Sequence, residues 1–114
     1  MKHLSAILSL VLLAGCGSST SPLETYGSPS TSMSIVVGQE LRIIMRTIGP
    51  GEYVSPPALT GAAALFRGVA PAGAPVPAGV TQVFTFEGVS AGQTFVVFHN
   101  TGVHADVIDT IVVR

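Results

Sequence analysis

Four side chains of the kinds that bind metal ions lie close together near the end of the chain: His99, His104, Asp106 and Asp109. A protein metal site needs three or four converging ligands that further contacts hold in place. The spacing of these four matches no known metal motif, and residues 106 and 109 would point to opposite faces of a strand. We therefore predict a polar hairpin end here, with no metal and no cofactor.

Motifs for catalysis are missing from the sequence as a whole. It contains no Gly-x-Ser-x-Gly elbow, no glycine-rich phosphate loop and no His-Glu-x-x-His motif. One cysteine allows no internal disulfide and no Cys₄ or Cys₂His₂ zinc site. The formal net charge of −1 argues against a nucleic-acid partner, because such proteins carry a basic face. We predict a protein that is not an enzyme and does not bind nucleic acid.

The single cysteine, Cys16, follows a segment typical of secretion signals. Lys2 and His3 precede an apolar run over residues 4–14, which is too short to span a bilayer. The run ends in Leu13-Ala14-Gly15-Cys16, which closely resembles the lipobox of bacterial lipoproteins. This resemblance implies that residues 1–15 are a removable lipoprotein signal peptide and that Cys16 carries the lipid. The alternative is an ordinary signal peptide that happens to contain a cysteine.

The lipobox also implies a location and a partner, namely the cell envelope and its membrane. Gly17 stands where Asp is associated with retention in the inner membrane, so the outer membrane is favoured if the organism has one. Without residues 1–15, four arginines and six acidic residues give a net charge of −2. Such a chain does not attract anionic headgroups, so attachment to the membrane must come from the lipid.

The segment after Cys16 has the composition of a disordered linker. Nine of the sixteen residues 17–32 are Ser or Thr and two are Pro. Such a segment buries too little apolar surface to offset its ordering entropy. We therefore predict a lipidated tether over residues 16–32, with a span of roughly 20–25 Å as a flexible coil. The alternative is that it folds as the first strand of the domain.

Residues 33–114 have the pattern of short β-strands. Residues 40–47 and 80–87 alternate between apolar and polar positions, as strands with one buried face do. Residues 93–100 are apolar on both faces, which predicts a central strand covered on both sides. Six or seven short strands with turn signals every 8–12 residues are typical of a sandwich or small barrel. We predict an all-β fold, with Phe66, Phe84, Phe86 and Phe98 in its core.

The order of three segments resembles a known family. Residues 37–43, residues 84–94 and a last Val/Ile-rich strand follow one another as in bacterial immunoglobulin-like domains, in particular chagasin-type inhibitors of papain-like cysteine proteases. The resemblance covers residues 35–113. It implies a small immunoglobulin-like antiparallel β-sandwich, and three loops that enter the cleft of a protease.

Those three loops supply the candidate binding residues. The first loop, residues 47–53, keeps a Pro, a Gly and a following Tyr of the family's pattern but lacks its Thr pair. The second loop, residues 77–79, is a partial match to a Gly-rich loop. The third loop, residues 99–102, replaces Arg-Pro-Trp, and the chain has no Trp. The candidates are Gly49, Pro50, Gly51, Glu52 and Tyr53, then Pro77, Ala78 and Gly79, then His99, Asn100, Thr101 and Gly102.

Two interpretations of the first loop remain open at this point. It is either a rigid recognition loop with Tyr53 as its anchor, or a shaped connection between sheets with Tyr53 packed on an edge. The leading functional hypothesis is a lipid-anchored, non-catalytic binding module of the cell envelope. The alternatives are a chagasin-like inhibitor of cysteine proteases and a purely structural envelope domain.

Overall fold

The computed structural model describes residues 20–46, 51–71, 81–102 and 105–114. In these residues it contains no helix, and so none that could cross a membrane. The strands are β1 (Leu23–Tyr26), β2 (Ser32–Ile35), β3 (Glu40–Arg46), β4 (Ala58–Thr60), β5 (Ala64–Pro71), β6 (Thr81–Gly88), β7 (Gly92–Phe98) and β8 (Val107–Val113). They form two sheets, β1-β3-β6-β5 and β2-β8-β7-β4. The predicted all-β, immunoglobulin-like sandwich is confirmed.

The strand directions differ from the prediction in one respect. The pairs β3–β6, β5–β6, β4–β7 and β7–β8 are antiparallel, whereas β1–β3 and β2–β8 are parallel. The chain passes from β1 in the first sheet to β2 in the second and back to β3. Parallel neighbours need such a crossover. The passage through the second sheet therefore explains why β1, at the edge of the first sheet, is parallel to β3.

Alternating side chains from both sheets fill the space between the layers. Leu41, Ile43 and Met45 of β3 are at most 1% exposed, and Phe84 and Phe86 of β6 are fully buried. These positions are those that the alternation predicted. The buried side chains of the second sheet include Val96, Phe98 and Ile111.

Two expectations about the core are wrong in detail. Strand β7 is covered on one side only, since Phe98 is fully buried but Phe95 is 44% exposed on the opposite face. In a two-layer sandwich, each sheet has one face toward the core and one toward solvent. Phe66 is half-buried and packs on the edge of the core, with its ring 5.5 Å from that of Phe86.

The predicted tether is wrong for residues 23–26, which form β1. This strand pairs with β3, and Leu23 packs against the core. Backbone hydrogen bonds and burial of Leu23 thus outweigh the Ser/Thr-rich composition, as the alternative interpretation had it. Gly27 lets the chain leave β1 close to the core, because a Cβ at this position would overlap the Met45 Sδ. Residues 1–19, with Cys16 and the predicted signal peptide, lie outside the described residues.

This correction makes β1 part of the domain. We expect a fragment of residues 33–114 to be less stable than residues 17–114 by about 2 kcal/mol, the order of burying one leucine side chain. Urea unfolding of both fragments measures the difference. Leu23→Ala in the longer fragment should reproduce part of it, and equal midpoints for the two fragments would contradict the assignment of β1 to the sheet.

Candidate functional site

Three connections leave the sandwich at one end, which we call the loop end. Strand β3 ends at Arg46 opposite Thr81, the first residue of β6, so two connections leave the first sheet together. In the second sheet, β4 begins at Ala58, which lies opposite Val97, and β7 ends at Phe98. The connection into β4 and the connection out of β7 therefore lie at the same end. These connections, residues 47–57, 72–80 and 99–106, contain the three loops that the sequence singled out.

The first and third loops are bonded to each other along their backbones. Tyr53 forms an antiparallel bridge with Asn100. The Thr101 N–H donates to the Glu52 carbonyl at 2.9 Å, and the Glu52 N–H donates to the Thr101 hydroxyl at 3.0 Å. The two loops therefore form a short ribbon, which we call the loop ribbon (residues 51–54 and 99–102).

Tyr53 belongs to the core rather than to the surface. It is 7% exposed, and its ring meets that of Phe98 edge-on at 6.2 Å. Burial raises the pKa of its hydroxyl, and the neighbouring Asn100 side chain opposes that shift. Of the two interpretations of the first loop, the structure favours the connection packed on an edge. Tyr53 positions the loop and is not a recognition anchor.

Gln82 holds the first loop onto the first sheet. Its Oε1 accepts from the Tyr53 N–H at 2.8 Å, and its Nε2 donates to the Tyr53 carbonyl at 3.0 Å. The side chain is 9% exposed. The alternation placed Gln82 on the buried face but gave it no role, although an amide beside Phe84 and Phe86 needs buried partners. A polar amide on an otherwise apolar inner face was therefore the sequence signal for this contact.

A close backbone approach joins the ends of the loop ribbon. Gly51 has a φ of +107°, and a Cβ on it would lie 2.8 Å from the Gly102 nitrogen. The Gly102 N–H in turn donates to the Asn100 Oδ1 at 2.7 Å. Only glycine fits at position 51, because both the conformation and the space exclude a side chain.

The exposed part of the loop ribbon offers five residues to a partner. These are Glu52, Val54, His99, Thr101 and Gly102, whereas Asn100 is buried with Tyr53. The His99 Nδ1 lies 2.8 Å from the Asp106 Oδ1, and both side chains are exposed. A cleft of about 220 Å³ opens beside Glu52. The lining residues are Glu52, Val69, Ala70, Pro71, Thr81 and Gln82.

Several candidates lie outside the described residues: Gly49, Pro50, Pro77, Ala78, Gly79 and His104. Of the four potential metal ligands, His99 and Asp106 meet, whereas Asp109 is buried on the inner face of β8. Over residues 20–46, 51–71, 81–102 and 105–114, no group of three or more His, Cys, Asp or Glu side chains is arranged to hold a metal.

Asp109 is a buried carboxyl with one satisfied oxygen. The Thr31 N–H donates to its Oδ1 at 3.0 Å, whereas its Oδ2 is buried and has no hydrogen-bond partner among the described residues. Burial raises the pKa of this carboxyl, and the bond from Thr31 only partly offsets that effect. The charged form of Asp109 therefore destabilises the fold.

The difference in stability between an Asp109→Asn variant and the wild type should depend on pH. Asn keeps the acceptor for Thr31 and cannot ionise. Because the folded pKa of Asp109 is raised, the wild-type protein loses stability as the pH rises from the unfolded value, about 3.9, through the folded value. We expect the variant to be more stable by about 1 kcal/mol at pH 7 and equally stable near pH 3.5. Thermal unfolding across this range measures it, and a difference independent of pH would contradict it.

The chain resembles solved structures of other proteins. No protein-family model and no curated protein matches the chain. Among solved structures, it resembles the cysteine protease inhibitor EhICP2 from Entamoeba histolytica, with a TM-score of 0.64 and 12% identity over 86% of this chain and 100% of that chain. It also resembles amebosin, with a TM-score of 0.52 and 14% identity over 82% of this chain and 99% of that one.

These likenesses show the fold. One of the two proteins is an inhibitor of cysteine proteases, which is the activity that the sequence resemblance implies. The chain therefore has a chagasin-like β-sandwich fold, with the described parts of the first and third loops joined at one end.

Proposed function

We propose that the protein inhibits papain-like cysteine proteases through its loop end. The observation that carries this proposal is the loop ribbon, in which hydrogen bonds hold the first and third loops together at one end of the sandwich. Binding orders few residues if the surface is already held in place, and this lowers the entropic cost of association. The likeness to EhICP2 supports the same activity.

The contact surface in this proposal is small and polar at its centre. Tyr53 and Gln82 support this surface from the core side. The residues that face the enzyme are Glu52, Val54, His99, Thr101 and Gly102. The first loop lacks the family's Thr pair, but the third loop brings the Thr101 hydroxyl within 3.0 Å of the Glu52 nitrogen. A hydroxyl is thus present at the first loop despite the change in sequence.

Inhibition of papain by residues 17–114 tests the proposal. We expect inhibition at micromolar concentration or below, and we expect Glu52→Arg to weaken it at least tenfold, since a reversed charge disturbs electrostatic complementarity. Glu24→Arg is the matched control, because Glu24 is exposed on β1 away from the loop end. It should leave inhibition unchanged.

A folded protein that leaves papain and a second papain-like protease fully active at micromolar concentration would overturn the inhibitor proposal. The binding module with another ligand would then be the stronger hypothesis. Capture of an envelope partner that Glu52→Arg abolishes and Glu24→Arg preserves would support it.

Cys16 is proposed as the lipid attachment site, on the strength of the lipobox resemblance. Cys16→Ser should move the protein from the membrane fraction to the soluble fraction and remove the mass of the lipid. A variant that stays with the membrane and keeps its mass would overturn this part of the proposal.

A further inference from the structure

The N-terminal segment enters the sandwich at residues 21–23, at the end opposite the loop end. We call this opposite end the far end. Leu23, the first residue of β1, pairs with Leu41 near the start of β3, whereas the loop end begins after Arg46. Just before β1, the Ser21 carbonyl accepts from the Gln39 Nε2 at 2.9 Å. Ser21 is therefore fixed at the far end, five positions after Cys16.

The far end carries three exposed valines. Val36 and Val37 are 42% and 51% exposed in the turn after β2, and Val89 is 38% exposed in the turn after β6. The Gly38 N–H donates to the Gly88 carbonyl at 2.7 Å, and a Cβ on Gly88 would lie 2.9 Å from the Val36 oxygen. The two turns are therefore in contact, and we call Val36, Val37 and Val89 the valine tip.

We propose that the valine tip rests on the lipid bilayer and that the loop end points away from it. This inference rests on the proposed lipid anchor at Cys16. The anchor supplies the affinity, since acyl chains hold a protein on a membrane, and the tip sets the orientation. An inhibitor held in this way presents its binding surface to proteases that approach from solution.

The length of the linker excludes the inverted orientation. The five Cα–Cα steps from Cys16 to Ser21 span about 18 Å at most when the chain is fully extended. The seven residues of β3 separate the far end from the loop end by about 20 Å, and the loop ribbon stands beyond them. The loop end therefore cannot reach the bilayer while Cys16 is held there. A tether that ran to residue 32 would have allowed both orientations.

A sandwich lying on its side is the remaining alternative. The outer face of the second sheet exposes Phe95 by 44% and Ile108 by 53%, and this face would then contact lipid. Ser21 and its bond to Gln39 favour the valine tip instead, because both lie at the far end, where the linker arrives. The two orientations differ in whether position 37 or position 108 is in contact with lipid.

Fluorophore labelling of the full-length, lipidated protein in phosphatidylcholine vesicles tests the proposal. Cys16 is occupied by lipid, so Val37→Cys, Ile108→Cys and Thr101→Cys each add one free thiol for an environment-sensitive dye. We expect quenching by nitroxide lipids to be at least threefold stronger for the dye at position 37 than at position 101. The dye at position 108 should behave like that at position 101.

Two results would overturn the proposal. A lipidated chain in which position 37 is no better quenched than position 101, or in which position 108 is quenched most, would overturn the orientation alone. A chain that mass spectrometry finds without lipid would overturn the anchor, and the orientation with it. Neither result bears on inhibition of papain by residues 17–114, which contain no lipid.

Discussion

Phe98→Ala is expected to lower the free energy of unfolding by about 3–5 kcal/mol, the usual range for removing a buried phenylalanine. Phe98 lies at the centre of an aromatic cluster, with its ring 5.0 Å from Phe84, 6.2 Å from Tyr53 and 6.3 Å from Phe86. Its loss would remove the packing partner of Tyr53 and leave a cavity between the sheets. Because Tyr53 holds the first loop, inhibition should weaken as well.

Phe95→Ala is the matched control for this prediction. Phe95 lies on the same strand but is 44% exposed on the outer face. We expect its loss to cost less than about 1 kcal/mol, since surface substitutions have small effects. Urea unfolding of the two variants measures both values, and similar losses would contradict the assignment of the two faces of β7.

Gln82→Leu should separate the first loop from the sheet. Leu has nearly the size of Gln but neither of its polar groups, so the N–H and carbonyl of Tyr53 would lose their partners in a buried place. Each unsatisfied buried group costs about 1–3 kcal/mol, and we expect a total loss of about 3 kcal/mol. Inhibition should weaken more than tenfold, because the loop ribbon would no longer be held.

Gln93→Leu controls for the substitution itself. Gln93 is exposed on β7, so the same change there should leave stability within about 0.5 kcal/mol and inhibition unchanged. Chemical denaturation and a papain assay give the two readouts. A Gln82→Leu protein that is as stable and as inhibitory as wild type would show that the amide does not hold the loop.

Alternation in the sequence was enough to predict the inner faces of the central strands. Leu41, Ile43 and Met45 are buried because their spacing matches the pleat of a strand. The same reasoning failed for residues 93–100, because apolar side chains on both faces do not reveal whether a further layer covers them. Phe95 lies on the outer face of the two-layer sandwich.

Features that depend on distant contacts escaped the sequence analysis. Strand β1 is four residues long and polar in composition, and its pairing with β3 supplies the hydrogen bonds that define it. The role of Gln82 depends on Tyr53, which lies 29 positions away. The resemblance to a family identified the loops in the sequence, but the pairing of the first with the third depends on the order of the strands.

The approach of Gly51 to Gly102 also limits how the proposed binding surface can change in evolution. A side chain at position 51 would push the two loops apart, and an added residue in either loop would shift the register between them. The lengths and backbone conformations of the two loops must therefore change together or not at all. New specificity would have to come from the outward side chains, which can be exchanged one at a time: Glu52, Val54, His99 and Thr101.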